Sequence, residues 1–178
     1  MLTYIALIRG LGGKYIVPMK ELVRLMERIG LRDVRTYIQS GNAVFRSKKI
    51  NVAAVSARIK AAIQRGYGFA PEVIIVTLAE LSKAMAANPY REAESNHKSL
   101  HLHFMAAAPK APDLDTLDAL RADGERFALK GKVFYLHAPA GVGRSKLFAR
   151  IEKKLGVPAT ARNWRTVCKL KELAEKLA

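Results

Sequence analysis

Apolar residues near the start of the chain alternate first at strand spacing and then at helical spacing. The segment "TYIALIR" (3–9) alternates apolar and polar positions, which predicts a strand. A glycine-rich turn follows it. From Leu22 to Ile29, apolar residues recur three and four positions apart, which predicts a helix that begins near Pro18 and ends at Gly30.

The next segments complete a known supersecondary order. "DVRTYIQ" (33–39) and "NAVFR" (42–46) predict two strands of a hairpin. A second helix is predicted from Val52 to Gly66, and "EVIIV" (72–76) predicts a further strand. The order β-α-β-β-α-β is that of the ferredoxin-like fold.

The same pattern then begins again. After a short helix at 78–87, the predicted elements are a strand at 100–105, a helix around 114–120, a hairpin at 126–136, a helix from Ser145 to Leu155 and a final helix at 161–177. The second hairpin repeats the first, since "GKVFY" resembles "GNAVF".

We therefore predict an α+β protein of two ferredoxin-like (βαββαβ-type) halves, related by approximate duplication, with mostly antiparallel sheets and an added C-terminal helix. The expected bounds are 1–87 for the first half, 88–98 for a connecting seam and 99–178 for the second half. The final helix is predicted to occupy the place of the fourth strand of the second half.

Charge limits the choice of ligand. The chain has 31 Lys and Arg against 15 Asp and Glu, a formal net charge of +16. Between Arg126 and Lys171 twelve basic residues accompany one acid. Such an excess attracts nucleic acid or a phosphorylated small molecule.

Cysteine content and hydropathy bear on the compartment. Cys168 is the only cysteine, so the chain forms no internal disulfide, which suits a reducing compartment. No targeting segment and no apolar run long enough to span a bilayer is present. We expect a cytoplasmic protein with no membrane partner and no cofactor, and the sequence leaves the oligomeric state open.

Several blocks together resemble a known family. "YIALIRG", "VRTYIQSGNAVF", "GVGRSKL" and "ATARNWRTVCKL" are similar, in this order, to the bacterial family known as domain of unknown function 1697. The resemblance covers nearly the whole chain. It implies a two-part α+β fold, in a family without a settled biochemical role, and it supplies no catalytic residues.

The segment "GVGRSK" (141–146) is the main candidate for anion binding. It precedes a predicted helix, with Ser145 as N-cap, and free backbone N–H groups, a hydroxyl and cations would meet a phosphate there. The two last predicted helices add a basic stripe and the only tryptophan, whose ring is a candidate for base stacking. The predicted site comprises Gly143, Arg144, Ser145, Lys146, Arg150, Lys153, Lys154, Arg162, Asn163, Trp164 and Arg165.

A secondary candidate is the glycine loop "RGLGGK" (9–14), which lies between a strand and a helix but lacks the Walker spacing. In a ferredoxin-like half the helices cover one sheet face, and the second is left for a ligand or for the other half. The secondary residues are Arg9, Gly12, Gly13, Lys14, Tyr37, Gln39 and Asn42.

Evidence for catalysis is weak. His101 and His103 share a strand face, and His137 ends a hairpin strand, but no carboxylate accompanies them, so we predict no metal site. No serine or cysteine triad pattern occurs.

The favoured function is therefore a non-enzymatic binding module for phosphate-rich ligands, with nucleic acid preferred. Two alternatives stay open: an enzyme acting on a small phosphorylated or carboxylated metabolite, and a module that binds a protein partner through an exposed apolar patch.

Overall fold

The computed structural model describes every residue from Met1 to Ala178. The chain divides into two compact units. The first unit comprises Met1–Lys83 with Cys168–Ala178, and the second unit comprises Ala84–Val167. The predicted bounds were 1–87 for the first half, 88–98 for the seam and 99–178 for the second half; in this division residues 84–98 belong to the second unit and residues 168–178 to the first.

The first unit has the order β-α-β-β-α-β, followed by one more helix. Its elements are β1 (Leu2–Ile8), α1 (Met19–Arg28), β2 (Arg32–Tyr37), β3 (Asn42–Ser47), α2 (Val52–Tyr67), β4 (Val73–Thr77) and the beginning of α3 (Leu78–Ala86). The sheet order is β2-β3-β1-β4, and every neighbouring pair is antiparallel. This is the ferredoxin-like topology that the sequence predicts.

The second unit repeats this topology. Its elements are a 3₁₀ helix (Arg91–Ser95), β5 (Leu100–Met105), α4 (Leu114–Ala119), β6 (Arg126–Lys130), β7 (Val133–His137), a 3₁₀ helix (Phe148–Arg150), α5 (Ile151–Leu155), β8 (Ala159–Asn163) and the beginning of α6 (Trp164–Glu175). The sheet order is β6-β7-β5-β8, again antiparallel throughout. The predicted pair of ferredoxin-like halves with an added C-terminal helix is confirmed.

One predicted boundary is wrong. The segment assigned to the start of the last helix forms β8, which pairs with β5 from Ala159 to Asn163, and α6 begins only at Trp164. The second half therefore has its fourth strand. Its apolar pattern is hidden because Thr160 and Arg162 are buried and take positions where a strand usually carries aliphatic residues.

Two helices also differ in length from the prediction. The helix expected from Ser145 begins as a 3₁₀ turn at Phe148 and becomes α-helical only in α5. Conversely, α2 continues through Gly66 to Tyr67, and the C-cap residue Gly68 adopts the left-handed conformation with φ 76°. Glycine relieves the steric cost of that conformation at a helix end.

In each unit the helices cover one face of the sheet. In the first unit Leu22 of α1 and Ile59 of α2 belong to a buried cluster with Phe45 of β3. In the second unit Leu117 of α4 and Ile151 of α5 belong to a buried cluster that includes residues of β5, β7 and β8. Removal of this apolar surface from water is the main stabilising term of each core.

The opposite face of each sheet is buried as well. Ile5, Leu7 and Val44 of the first unit are fully shielded from solvent, and so are Leu102 and Tyr135 of the second. The Tyr135 hydroxyl donates a hydrogen bond of 2.7 Å to the Ala84 carbonyl, and burial raises the pKa of this phenol to about 12. The central strands of neither sheet therefore offer an open face to a ligand.

Candidate nucleic-acid interface

Five of the predicted cations are exposed and form no ion pair. Arg144, Lys146, Arg150 and Lys153 lie within one short stretch around the 3₁₀ turn and α5, and Arg165 lies in the first turn of α6. We call these five residues the basic set. Since no carboxylate neutralises them, their field acts on solvent and on any anionic ligand.

The strand register shows how the basic set is distributed over the second unit. His137, the last residue of β7, lies opposite Leu100 of β5, and Asn163, the last residue of β8, lies opposite His101. The segment after β7, with Arg144, and the start of α6 therefore emerge at the same end of the sheet. The helical segment then runs toward the other end, so the basic set follows the length of the sheet.

Lys154 is neutralised, unlike its neighbours. Its Nζ donates a hydrogen bond of 2.8 Å to the Asp113 carboxylate, which also accepts one from the Thr116 hydroxyl. These two hydrogen bonds lower the pKa of Asp113 to about 2. Lys154 therefore stabilises the start of α4 and contributes little to an external field.

Two central predictions about the site do not hold. Trp164 is only 7% exposed, so its ring gives no platform on which a base could stack. Arg162 is 9% exposed, and its Nη1 donates to the Thr160 hydroxyl and to the Ala161 carbonyl at 2.7 and 2.8 Å. Burial lowers the pKa of its guanidinium to about 10. Both side chains belong to the interior of the protein.

The polar candidates next to these cations act as helix caps. The Ser145 Oγ accepts a hydrogen bond of 3.0 Å from the Phe148 N–H. The Asn163 Oδ1 accepts one of 2.9 Å from the Thr166 N–H at the start of α6. Side-chain oxygens at this position satisfy backbone donors that a helix leaves free. Gly143 is exposed, but only a 3₁₀ turn and the five-residue α5 follow it, so the expected anion cradle at the start of a regular helix does not form.

The glycine loop of the first unit closes on itself. The Gly12 N–H donates to the Tyr15 carbonyl at 2.8 Å, and the Tyr15 N–H donates to the Gly12 carbonyl at 3.3 Å. Gly13 and Lys14 form the exposed end of this small hairpin, while the Arg9 N–H donates to the Glu72 carbonyl at 2.9 Å. Two of the backbone donors expected to bind phosphate, those of Arg9 and Gly12, are therefore already used.

The other secondary residues lie in the turn between β2 and β3, beside this loop. The Gln39 Nε2 donates to the Val17 carbonyl at 2.6 Å, which joins the turn to the end of the glycine loop. Asn42 is fully buried, and its Nδ2 donates to the Tyr37 carbonyl at 3.2 Å and to the Ser40 hydroxyl at 2.7 Å. Tyr37 is half-buried. The secondary candidates are thus brought together, with Gln39 and Asn42 holding the backbone.

The histidines do not converge. His101 and His103 lie on the helix-covered face of the second sheet, where both rings contact the edge of Phe148. His137 lies on the opposite face, because it follows Leu136, the partner of His101. No group of three or more histidine, cysteine or carboxylate side chains in the protein is placed to hold a metal ion.

Sequence reasoning did not single out Tyr15, Ile16 and Ile38, which are exposed. In a pattern of apolar positions they resemble core residues of a strand or helix. The available signal is that Tyr15 and Ile16 fall in a glycine-rich loop immediately before a predicted helix start, where a core residue is not expected.

Fold and surface together define an α+β protein of two ferredoxin-like units, the second with an unneutralised basic surface. The chain belongs to the family described as "Protein of unknown function (DUF1697)", whose family model matches residues 1–135. The match includes the glycine loop and ends before the segment that carries Arg144.

A solved structure is similar to this protein over almost the whole chain. It is that of a conserved bacterial protein from Streptococcus pneumoniae, with 23% sequence identity, a TM-score of 0.70 and coverage of 98% of this chain and 99% of that chain. At this identity the likeness shows the fold alone. No curated protein matches the chain significantly. No helix of the structure is both long and apolar enough to cross a membrane.

Proposed function

We propose that the protein binds nucleic acid without sequence preference, through electrostatic contacts between the basic set and phosphates. The observation that carries this proposal is that Arg144, Lys146, Arg150, Lys153 and Arg165 are all exposed and unpaired. Counterion release from a phosphate backbone supplies affinity to such a surface even without base contacts.

The acids of the second unit support this interpretation, because several of them are engaged elsewhere. Asp113 pairs with Lys154, and Glu92 pairs with Arg126. Glu152 is the only acid between Arg126 and Lys171. Its carboxylate accepts a hydrogen bond of 3.0 Å from the Ala159 N–H. A polyanion approaching the basic set therefore meets cations that need not first leave an internal partner.

Neutralising four members of the basic set tests the proposal. The variant Arg144→Gln, Lys146→Gln, Arg150→Gln and Lys153→Gln should bind a labelled single strand about tenfold to a hundredfold more weakly at low salt. The slope of log affinity against log salt should become shallower by about 3, since each lost phosphate contact removes about 0.7. Fluorescence anisotropy on nuclease-treated protein, at several salt concentrations, measures both quantities.

A second variant with the same loss of charge is the control. Arg24, Lys60, Lys171 and Lys176 each form an ion pair with a nearby glutamate. Changing these four to glutamine should leave the salt slope close to that of the wild type. Equal losses in both variants would mean that only net charge matters, and an affinity unaffected by salt would exclude the proposal.

A further inference from the structure

Three large apolar side chains are exposed at one end of the first unit. Ile16 is 60% exposed, Ile38 52% and Tyr15 42%. We call these three residues the apolar tip. Single exposed apolar residues are common on protein surfaces, but a group of them at one place marks a contact site for another molecule.

The sheet brings the members of the apolar tip together. Leu7 of β1 lies opposite Asn42 of β3, so the loop after β1 and the turn before β3 emerge at the same end. The hydrogen bond from Gln39 to the Val17 carbonyl joins the two segments. A Cβ at Gly12 would lie 3.6 Å from the Gln39 carbonyl oxygen. The segments that carry Ile16 and Ile38 are therefore in direct contact.

Ile38 has an unfavourable backbone conformation as well as an exposed side chain. Its φ is 48°, in the left-handed region that β-branched residues rarely adopt. Hydrogen bonds hold the turn on both sides of Ile38. The Gln39 side chain donates to the Val17 carbonyl, and the Asn42 side chain donates to the Tyr37 carbonyl. Asparagine or glycine would fit this position with less strain. Fold stability therefore does not explain an isoleucine here, and strain of this kind concentrates at functional sites.

Tyr15 provides a rigid aromatic surface within the apolar tip. Its ring stacks on Phe69, with centroids 4.6 Å apart and planes at 26°. The Lys14 Nζ lies 5.4 Å from the Tyr15 ring centroid. An exposed tyrosine in contact with a lysine ammonium supplies apolar area for a base and a positive charge for its phosphate.

The two chain segments that carry the apolar tip contain cations but no carboxylates. Residues 9–20 and 34–42 contain no carboxylate. Lys14 and Lys20 are exposed and form no ion pair. The surface therefore fits a ligand that combines apolar and anionic groups. Nucleotides of a single strand offer both, whereas a duplex hides the faces of its bases within the stack.

We propose that the apolar tip contacts unpaired nucleobases of a single-stranded nucleic acid, with Lys14 and Lys20 contacting its phosphates. This inference rests on the proposed function, because both concern nucleic acid. The inference adds a preference for single strands and a contact to the bases. It uses residues of the first unit alone, so it can be tested separately from the proposed function.

The experiment compares three labelled probes of about 20 nucleotides, long enough for the usual site sizes. They are a thymidine single strand, an abasic strand with the same number of phosphates, and a duplex. Binding to the full chain is measured by fluorescence anisotropy. The test variant is Ile16→Asn with Ile38→Asn. The control is Leu2→Asn, since Leu2 is 50% exposed and lies at the other end of β1.

The wild type should bind the thymidine strand about tenfold more tightly than the abasic strand, which corresponds to roughly one stacked base. The double variant should lose most of this difference and keep its affinity for the abasic strand and the duplex. Leu2→Asn should behave as the wild type. The single variant Ile38→Asn should melt no lower than the wild type, because asparagine tolerates a positive φ, so lost binding is not lost folding.

Each contrary result has a distinct meaning. Equal binding of the thymidine and abasic strands by the wild type would overturn the base contact, leave the proposed function intact and assign the apolar tip to another partner, such as an acidic protein segment. A preference retained in the double variant would also overturn it. No binding to any of the three probes would exclude both the inference and the proposed function.

Discussion

Replacing Gly41 with alanine should lower the free energy of unfolding by more than about 3 kcal/mol, the range of a buried steric clash combined with backbone strain. Gly41 has φ +75°, where an L side chain is strained. An added Cβ would lie 2.4 Å from the Ile8 carbonyl oxygen and 3.1 Å from the Ile8 Cβ. The Ile8 N–H donates to the Gly41 carbonyl at 2.8 Å, so the backbone cannot move apart without losing this hydrogen bond.

Gly10→Ala is the matched control for this prediction. Gly10 has a similar φ of +81°, but nothing lies within 4 Å of an added Cβ. Its substitution should lower the free energy of unfolding by only about 1 to 2 kcal/mol, which is the cost of holding an alanine in the left-handed conformation. Urea unfolding of both variants measures the difference, which is the contribution of the close approach to Ile8. Equal losses in the two variants would show that the turn relaxes around the extra carbon.

The fold was predictable where apolar periodicity and burial agree. In α1 the structure buries Leu22 and Met26 of the predicted stripe. β1 also lies at its predicted position, although residues from Thr3 to Ile8 are buried on both faces and not only on the one face that alternation predicts. Both hairpins occur at the predicted positions. Local pattern and tertiary packing point to the same structure in these segments, so neighbouring residues are sufficient to identify it.

The fold was not predictable where a polar side chain takes a core position. In β8 the buried Thr160 and Arg162 remove the apolar alternation that identifies a strand. The Arg162 guanidinium donates hydrogen bonds to the Thr160 hydroxyl and to the Ala161 carbonyl. A buried arginine is tolerated in a protein interior only when it has hydrogen-bond partners, and the sequence alone does not reveal those partners.

The candidate site was only partly predictable for the same reason. The charge pattern singled out Arg144, Lys146 and Arg150, which are exposed in the structure. It could not distinguish them from Lys154, whose partner Asp113 is distant in sequence. Helical projection placed Trp164 at the margin of a helix, yet it is buried. Exposure depends on tertiary neighbours, as does the φ of Ile38, so these features required the structure.

Acidification should destabilise the protein strongly, through two histidines buried without charge. Burial lowers the pKa of His101 from 6.5 to about 4, and burial together with the nearby His101 lowers that of His103 from 6.5 to about 3. The His103 Nε2 and His101 Nδ1 are buried without a hydrogen-bond partner. Phe134 and Phe148 contact the His103 ring edge-on, so no carboxylate among these contacts stabilises an imidazolium.

The sign of the effect follows from proton linkage. Below its ordinary pKa of about 6.5, each histidine takes up a proton in the unfolded chain but not in the folded one. Stability is therefore complete above about pH 7 and falls as the pH decreases toward the lowered pKa values. Between about pH 6 and pH 5 the two histidines together should lower the free energy of unfolding by about 2 kcal/mol. Over the whole interval from its ordinary pKa down to its lowered pKa, His103 alone should lower it by about 3 to 5 kcal/mol.

Carboxylates respond in a lower pH range and do not obscure this result. The pKa values of Asp113 and Glu172 are lowered to about 2, from ordinary values of 3.8 and 4.5. The cause is hydrogen bonds, from Lys154 and Thr116 to Asp113 and from Lys169 and Lys176 to Glu172. The stability that they contribute is lost only as the pH falls below those ordinary values. Burial also lowers the pKa of His137, so this residue adds a smaller loss of the same sign.

The double variant His101→Leu with His103→Leu tests this assignment. At neutral pH it should be at least as stable as the wild type, because leucine leaves no buried nitrogen without a partner. Between about pH 6 and pH 5 its free energy of unfolding, measured in urea, should change far less than that of the wild type, with a residual slope from His137. A wild type equally stable at both pH values would contradict the prediction. A double variant that loses as much stability as the wild type would also contradict it, because the titrating groups would then not be His101 and His103.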